Sequence, residues 1–442
     1  MMNQFLIKNA HLVDPQVSLD EQGDVLIEND TIVAVGSATQ EHDTSHAQVI
    51  DASGKVLVPG LVDIHVHFRD PGFEYKEDIV SGSRAALKGG FSDVCCMANT
   101  DPVIDNAAVL RAVMSKAHHQ AFCKVHAAGA CTKGLKGEAL ADIGEMSALG
   151  AVAFTDDGHG VQSSSMMRRV MDYAHPFNKV IMSHCQDEDL VDAGQINEGA
   201  VSTRLGLLGW PAAGEEIQIS RDMQLAQLTQ TPLHIQHLTS AAGVEQLRAA
   251  KAQGVPVTCE VTPHHLFLHD SDIDESYNTN FKVNPPLRTQ ADSDALLEGL
   301  LDGTIDCIVT DHAPHAAYEK AREFELAPFG MIGLETSLAL MITHLVAPGK
   351  LSWSQLVSLM AVNPRAILRL DPVRIAPQSR ASLTLIDPNA SWDVTEQEFE
   401  SKSSNSAFLG AHLQGRACDV FIDGKHMLID GALAHQPLSQ QQ

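Results

Sequence analysis

The sequence predicts an α/β protein: a (β/α)8 TIM barrel with a small composite β-sandwich domain drawn from both chain ends. Three observations predict it. The middle of the 442-residue chain alternates short apolar runs with amphipathic segments, the grammar of parallel βα units. Most of those apolar runs end in a cluster of polar side chains, and barrel chemistry sits at the C-terminal ends of strands. The two chain ends read instead as short strands between turn residues, and neither alone could bury much apolar surface.

In chain order, residues 1–58 supply strands at 5–8, 25–28, 31–35, 49–51 and 55–58, with turn signals such as Glu28-Asn29-Asp30 and Ala52-Ser53-Gly54 between them and no helix. The barrel is assigned to residues 59–365. Its eight strands fall at 61–64, 93–97, 124–128, 151–154, 180–183, 233–236, 255–261 and 306–309. Helices fall between them near 76–88, 106–118, 138–149, 164–175, 215–228, 242–252 and 290–301. Residues 366–442 return to the β pattern at 381–386, 417–422 and 426–429, and the last six residues read as a frayed end.

Charge and composition exclude several function classes. Lys+Arg 30 against Asp+Glu 56 gives a formal charge of −26, which argues against nucleic acid or an anionic membrane as a partner. A small anionic substrate remains compatible, because the mean field is screened over roughly 8 Å and local cations can dominate a pocket. The eight Cys show no paired metal-binding spacing, so buried reduced thiols and a cytoplasmic location are expected. The N-terminal residues lack the apolar core of a signal peptide, and no apolar run is long enough to span a bilayer as a helix.

The chemistry gathers at the strand ends. His65 and His67 are two apart, so on a strand they share a face and can hold one metal ion. Arg69, two further on, brings a planar fork suited to a carboxylate. Later strands end in Asn99-Thr100-Asp101, Thr155-Asp156-Asp157-Gly158, His184-Cys185-Gln186-Asp187, His237-Leu238-Thr239, Thr262-Pro263-His264-His265 and Thr310-Asp311-His312-Ala313-Pro314-His315. Any one of these His residues alone would read as a satisfied core histidine. His65, His67, His184, His237 and Asp311 together at one barrel mouth form the ligand palette of Zn²⁺. Asp156 or Asp157 adds a sixth ligand; alternation lets only one face the axis, and spacing alone leaves that choice open. Six ligands point to about two zinc ions per chain sharing a carboxylate and an acidified water. With those ligands assigned, His264 and His265 read as structural or as supports behind the ligands. Residues 312–330 are too polar and too long for a simple βα turn and read as an active-site loop that closes over substrate.

The stretch His65-Val66-His67-Phe68-Arg69-Asp70-Pro71-Gly72-Phe73-Glu74-Tyr75-Lys76-Glu77-Asp78 resembles the signature of the long-chain dihydroorotases, within the amidohydrolase superfamily. Met97-Ala98-Asn99-Thr100-Asp101-Pro102, Phe154-Thr155-Asp156-Asp157-Gly158, Asn284-Pro285-Pro286-Leu287-Arg288, the run from Thr310 to His315, Pro328-Phe329-Gly330 and Ser401-Lys402-Ser403-Ser404-Asn405 fit the same pattern, which extends from about residue 5 to 430. The resemblance implies His65 and His67 on a first metal, His184 and His237 on a second, and Asp157 as the bridging carboxylate. No Lys lies in 150–160 to serve as a carboxylated bridge. It further implies Asp311 as metal ligand and catalytic acid–base, Arg69, Asn99 and His315 as the clamp on a substrate carboxylate, and Asn284 with Phe329 and Gly330 against a pyrimidine ring.

The implied activity is the zinc-dependent reversible cyclisation of N-carbamoyl-L-aspartate to L-dihydroorotate in de novo pyrimidine (UMP) biosynthesis. A homodimer and association with aspartate transcarbamoylase are implied in the same way. Ala98, Gln186 and Arg380-Ala381-Ser382 depart from the usual pattern, none of them at an implied metal or substrate position. Two other assignments compete. A hydantoinase, dihydropyrimidinase or allantoinase shares the scaffold but needs no carboxylate clamp. A non-catalytic dihydroorotase-like subunit of aspartate transcarbamoylase would lack the metal-binding His residues that are present here.

Overall fold

The computed structural model describes residues 3–441. The N-terminal strands are β1 (Gln4–Asp14), β2 (Leu19–Glu28), β3 (Thr31–Val35), β4 (Gln48–Asp51) and β5 (Val56–Pro59). β1 and β2 extend well beyond the expected 5–8 and 25–28. Asn9, at φ 61°, bulges the ladder between Ile7 and Ala10 and so interrupts the alternation that resumes at Ala10 and Leu12, while Asp20, Glu21 and Gln22 in the added length of β2 face solvent. Where no helix was expected, two short 3-10 turns occur at Pro15–Val17 and Gly36–Glu41.

The alternating stretch forms the barrel. Its strands are β6 (Leu61–Val66), β7 (Phe91–Cys96), β8 (Lys124–Gly129), β9 (Ala153–Phe154) and β10 (Val180–Ser183); a two-stranded ribbon of β11 (Ile196–Asn197) and β12 (Gly209–Trp210) intervenes before β13 (Leu233–Ile235), β14 (Val257–Val261) and β15 (Cys307–Ile308). Eight of these form one parallel sheet in the order β15-β14-β13-β10-β9-β8-β7-β6. A parallel bridge between Val66 and His312, with the His67 N–H donating to His312 O at 2.9 Å, brings the last strand end beside the first. Every residue of β6 is buried, as a parallel strand covered on both faces requires. The crossover helices start at side-chain caps: Asp78 accepts from Ser81 N–H, Asn106 from Ala108 and Val109, Ser240 from Gly243, and Thr289 from Asp292. The crossover after β15, helix Ser337–Met341 continuing as a π-turn over Ile342–Val346, was not among the helices read from the sequence.

The long loop between them is tied down over the barrel mouth. Lys282 Nζ donates to the carbonyls of Phe324, Glu325 and Ala327 at 2.7–3.1 Å, and Lys320 Nζ to those of Pro328 and Gly330 at 3.0 and 2.9 Å. The segment from 312 to 330 packs as a wall at the mouth and includes a short helix, Ala317–Lys320.

The C-terminal strands are β16 (Leu383–Asp393), β17 (His412–Ile422), β18 (Lys425–Ile429) and β19 (Ala432–Leu433). They join the N-terminal strands in one mixed sheet of order β19-β18-β17-β16-β5-β1-β2-β3, with β4 on β1. The seam is antiparallel β5–β16, from Leu383 opposite Pro59 to Ile386 opposite Val56. The sheet folds onto itself: Phe5 in β1 lies 5.2 Å, centroid to centroid, from Phe421 in β17, although two strands separate them in the hydrogen-bonded order. Ile7, Leu12, Ile27, Leu57, Leu385 and Phe421 fill the resulting core. The C-terminus is docked, not frayed: Leu438 N–H donates to Ala121 O at 2.9 Å, and Lys425 Nζ donates to Leu438 O at 3.0 Å. Backbone groups do this docking, so a Pro/Ser/Gln-rich tail gives no sign of it; Gln442 lies outside the described residues. All eight Cys are buried and unpaired. Among the described residues no helix is long and apolar enough to cross a membrane.

Candidate active site

The barrel strands deliver their terminal side chains to one cavity of about 300 Å³. His65 lies in β6 and His67 just beyond it, their ring centroids 5.4 Å apart. His184 follows β10, His237 follows β13, Asp157 follows β9 and Asp311 follows β15. Arg69, His237 and Asp311 adopt positive φ values of 59°, 29° and 46°. For non-glycine residues that conformation costs of order 1–3 kcal/mol each, and such strain gathers where a site over-determines the backbone.

Asp157 is ringed by four imidazoles. Its Oδ1 lies 3.4 Å from His65 Nε2, 3.4 Å from His184 Nδ1 and 3.6 Å from His237 Nε2, and its Oδ2 lies 3.3 Å from His67 Nε2. Asp311 Oδ1 sits 3.0 Å from His67 Nε2 and 3.5 Å from His65 Nε2. Two donors on one tetrahedral zinc, each about 2.0–2.1 Å from it, lie about 3.3 Å apart, so these spacings fit shared cations. Asp157 Oδ1 is also buried without any hydrogen-bond partner, a cost that a cation would remove. The triples His65, Asp157, His237 and His65, His67, Asp311 each bring their ligand atoms close enough for one ion. Burial opposes ionisation of both carboxylates, yet the facing His65 and its neighbours hold Asp157 and Asp311 well below the usual carboxylate range.

Other groups hold these rings. His65 Nδ1 meets Glu260 Oε1 at 2.5 Å; Glu260 also receives the His237 N–H at 3.1 Å and faces His234 Nε2 at 3.0 Å. Burial would raise Glu260, but His65 and His234 bring it down to about 2. His67 Nδ1 lies 2.9 Å from Asn99 Oδ1, and Asn99 Nδ2 approaches Asp157 at 3.4 Å, so Asn99 touches the imidazole–carboxylate cluster as well as lining the cavity. His184 Nε2 donates to Gln186 Oε1 at 2.8 Å, and Asn284 Nδ2 donates to the same oxygen at 3.2 Å. Gln186 thus touches two side chains of the site without itself being one of the six ligand-type residues. Glu260 escaped the sequence reading altogether; its signal was a lone carboxylate inside the buried run Val257-Thr258-Cys259-Glu260-Val261, where a charge needs a partner.

The adjacent aspartates part. Asp156 is buried and turns away from the imidazoles, accepting the backbone N–H groups of Cys131 and Thr132 at 2.8 and 3.0 Å together with the Thr132 hydroxyl. It pins the turn that follows β8. His265 is held between Thr262 Oγ1 and Pro285 O.

The opposite wall is cationic. Arg69 Nε donates to Pro314 O at 3.3 Å, and its Nη2 lies 3.3 Å from His315 Nε2. His315 Nε2 is 2.7 Å from Phe329 O, and Gly330 completes this side of the cavity. Burial first, then Arg69, Lys76 and Lys320, push His315 far below the usual imidazole range, so it is neutral and Arg69 supplies the charge. The cavity thus sets a carboxylate–imidazole cluster against a fixed guanidinium, a layout for polarising and hydrolysing an amide in a small molecule that carries a negative charge.

Residues 54–242 match the protein family described as dihydro-orotase-like. Relatives named dihydroorotase are 47% identical in Acetivibrio thermocellus, 49% in Ruminiclostridium cellulolyticum and 47% in Geobacter metallireducens; each alignment covers 95% of this chain, and 97%, 97% and 98% of the relative. Among solved structures, the L-hydantoinase of Arthrobacter aurescens superposes with a TM-score of 0.87 at 24% identity, covering 99% of this chain and 98% of the other. The dihydropyrimidinase of Brevibacillus agri superposes with a TM-score of 0.86 at 20% identity, covering 99% of this chain and 97% of the other. At such identities the structural likeness speaks for the fold alone.

Proposed function

The chain belongs to the dihydroorotase family, and from that premise we propose that it interconverts N-carbamoyl-L-aspartate and L-dihydroorotate, in pyrimidine biosynthesis, with about two zinc ions per chain. It is a cyclic amidohydrolase. His65 and His67 would hold one ion and His184 and His237 the other, with Asp157 shared and Asp311 on the first. Imidazole and carboxylate donors at these spacings suit zinc. The bound ions supply Lewis acidity toward the ring carbonyl and lower the pKa of water.

The chain's own residues do the rest. Arg69 pairs with the substrate's free carboxylate, helped by neutral His315 and Asn99, and so fixes the ring amide against Asp157 and Asp311. Asn284 and the backbone at Phe329 and Gly330 border the ring. In hydrolysis Asp311 accepts a proton from the attacking water and delivers it to the departing amide nitrogen. In cyclisation the proton runs the other way: Asp311 takes it from the ureido nitrogen as that nitrogen attacks the side-chain carboxyl carbon, and returns it to the leaving hydroxyl. The packed wall 312–330 keeps the cavity narrow. A homodimer, association with aspartate transcarbamoylase and a cytoplasmic location complete the proposal.

The observation that carries the substrate choice is Arg69, placed in the cavity wall together with His67, Asp157 and Asp311. A hydantoin or dihydrouracil ring has no carboxylate to meet it, and losing one side of a desolvated charge pair costs ~2–5 kcal/mol. The four imidazoles weigh against a non-catalytic subunit. The experiment is a side-by-side assay of dihydroorotate, dihydrouracil, hydantoin and allantoin with the metal-loaded enzyme and its Arg69→Lys variant. Dihydroorotate should be turned over far better than the others, and Arg69→Lys should lower its kcat/KM by about 30-fold or more at unchanged metal content. Better turnover of any ring lacking the carboxylate would overturn the substrate assignment.

A further inference from the structure

The motif Ser401-Lys402-Ser403-Ser404-Asn405 has no part in the chemistry above, yet it lies against the cavity wall. It belongs to the connection between β16 and β17, in the C-terminal β unit, and crosses to the barrel mouth. Ser403 Oγ donates to Lys76 O at 2.6 Å, and Lys402 Nζ donates to Glu74 O at 2.6 Å. Asn405 goes deepest, at 5% exposure.

Asn405 uses both ends of its amide and its own carbonyl. Its Oδ1 accepts the His315 backbone N–H at 3.0 Å; its Nδ2 donates to Ala313 O at 3.2 Å and Gly330 O at 3.1 Å; its carbonyl accepts the Ile332 N–H at 2.9 Å. Those partners lie on two separate stretches, 313–315 and 330–332. The stretches touch: a Cβ on Gly330, whose φ is 130°, would stand 2.8 Å from Ala313 Cβ and 3.2 Å from His315 Nε2. Arg69 reads the same place, since its Nε donates to Pro314 O and its Nη2 meets His315. One side chain from the far end of the chain therefore sets the spacing of both backbones that seat the guanidinium and the imidazole.

We propose that Asn405 is a positioning residue for recognition of the substrate's free carboxylate: through His315, Ala313 and Gly330 it fixes where Arg69 and His315 present their donors. The C-terminal β unit then contributes to substrate selection and not only to the sheet. This rests on the dihydroorotase reading given above. Asn405 touches neither Asp157 nor Asp311, so its loss should reach binding of the carboxylate and leave the hydrolytic groups in place.

The experiment compares zinc-loaded parent, Asn405→Ala, Asn405→Asp and Arg69→Ala, with Asn405 and Arg69 also changed together. Each is assayed on dihydroorotate and on its carboxamide, in which the carboxylate is neutral. Asn405→Asp keeps the acceptor for His315 N–H but turns an acceptor toward two carbonyls, so it carries the test if the alanine variant does not fold. KM for dihydroorotate should rise about tenfold or more, with kcat changed by less than about threefold. Turnover of the carboxamide and zinc content should stay at the parent level, and adding the Asn405 change to Arg69→Ala should cost little more, because the two act as one unit. Equal losses on both substrates, or independent losses in the double variant, would make Asn405 a general staple of the fold and overturn the proposal. A parent that does not turn over dihydroorotate would overturn the functional reading itself, and this proposal with it.

Discussion

Glu260 Oε1 stands 2.5 Å from His65 Nδ1, with the carboxylate's other oxygen 3.0 Å from His234 Nε2. The carboxylate, held at about 2 by His65 and His234 against its burial, accepts a hydrogen bond from His65 Nδ1–H and leaves the Nε2 lone pair facing Asp157 and Asp311. Such a partner orients a metal-binding ring and raises its basicity. Glu260→Gln should therefore weaken metal retention by about 10- to 100-fold without touching any ligand. Titration of the purified protein with a chelator, followed by metal analysis, measures it. Retention equal to the parent's would show that Glu260 serves the barrel floor alone.

The two neighbouring aspartates should separate cleanly. Asp157→Asn removes the carboxylate that four imidazoles face, and bound metal should fall sharply. Asp156→Ala should keep its metal but unfold more easily, because the N–H groups of Cys131 and Thr132 lose their acceptor. Each buried group left unpaired costs about 1–3 kcal/mol. Metal content and thermal unfolding of the two variants give the comparison, and a metal-free Asp156→Ala would reverse the roles assigned to the pair.

Why the site was so legible while its supports were not is visible in the same residues. Ligand-type side chains at strand ends announce themselves in sequence: His65, His67, His184, His237 and Asp311 each close an apolar run, and the barrel places all such ends at one mouth. Asp156 against Asp157 could not be decided by spacing, since alternation fixes only that they part and not which one turns in. Glu260 was hidden because it sits within a strand, one residue before its last residue Val261, and its partner His65 is 195 residues away. Gln186 is neither an implied ligand nor an implied substrate contact, and only the fold shows that it bridges His184 and Asn284. The β domain was legible as short strands from both ends, but the fold-over that brings Phe5 to Phe421 depends on contacts between distant strands that no local pattern carries.

Acid stability should depend on Asp93. It is buried in β7, 2.7 Å from Arg365 Nη2 and 3.0 Å from His126 Nε2. Burial would raise it, but Arg365, His126 and Lys124 hold it far below the usual carboxylate value of 3.8. A carboxylate depressed in the folded state adds stability that is complete above its unfolded pKa and is lost as pH falls through the folded one. Stability should thus decline below about pH 4, and Asp93→Asn should flatten part of that decline. At neutral pH the same change leaves Arg365 buried without its anion and should cost about 3–5 kcal/mol. Urea unfolding at pH 7 and at pH 3 tests both statements; a variant as stable as the parent at pH 7 would show that the pair contributes nothing net.

Gln186 links the imidazole–carboxylate cluster to Asn284 in the cavity wall. A single oxygen, Oε1, accepts from His184 Nε2 at 2.8 Å and from Asn284 Nδ2 at 3.2 Å. The first contact fixes the tautomer of His184, so that Nδ1 is free to face Asp157 and His237; the second aims Asn284 into the cavity. Removing one acceptor should therefore disturb two functions at once. Gln186→Ala should raise KM for dihydroorotate and weaken metal retention together, each by about tenfold, as expected for loss of a half-buried acceptor that serves two donors. Gln186→Glu retains an oxygen in the same place, so it should preserve both contacts and stay near the parent in KM. The discriminating measurement is KM against dihydroorotate with metal held in excess. If saturating metal restores the parent KM in Gln186→Ala, the oxygen matters only to His184. If KM stays high with both metal positions filled, Asn284 depends on Gln186 for its place in the cavity wall, and the residue that departs from the family pattern is part of how this chain reads the ring.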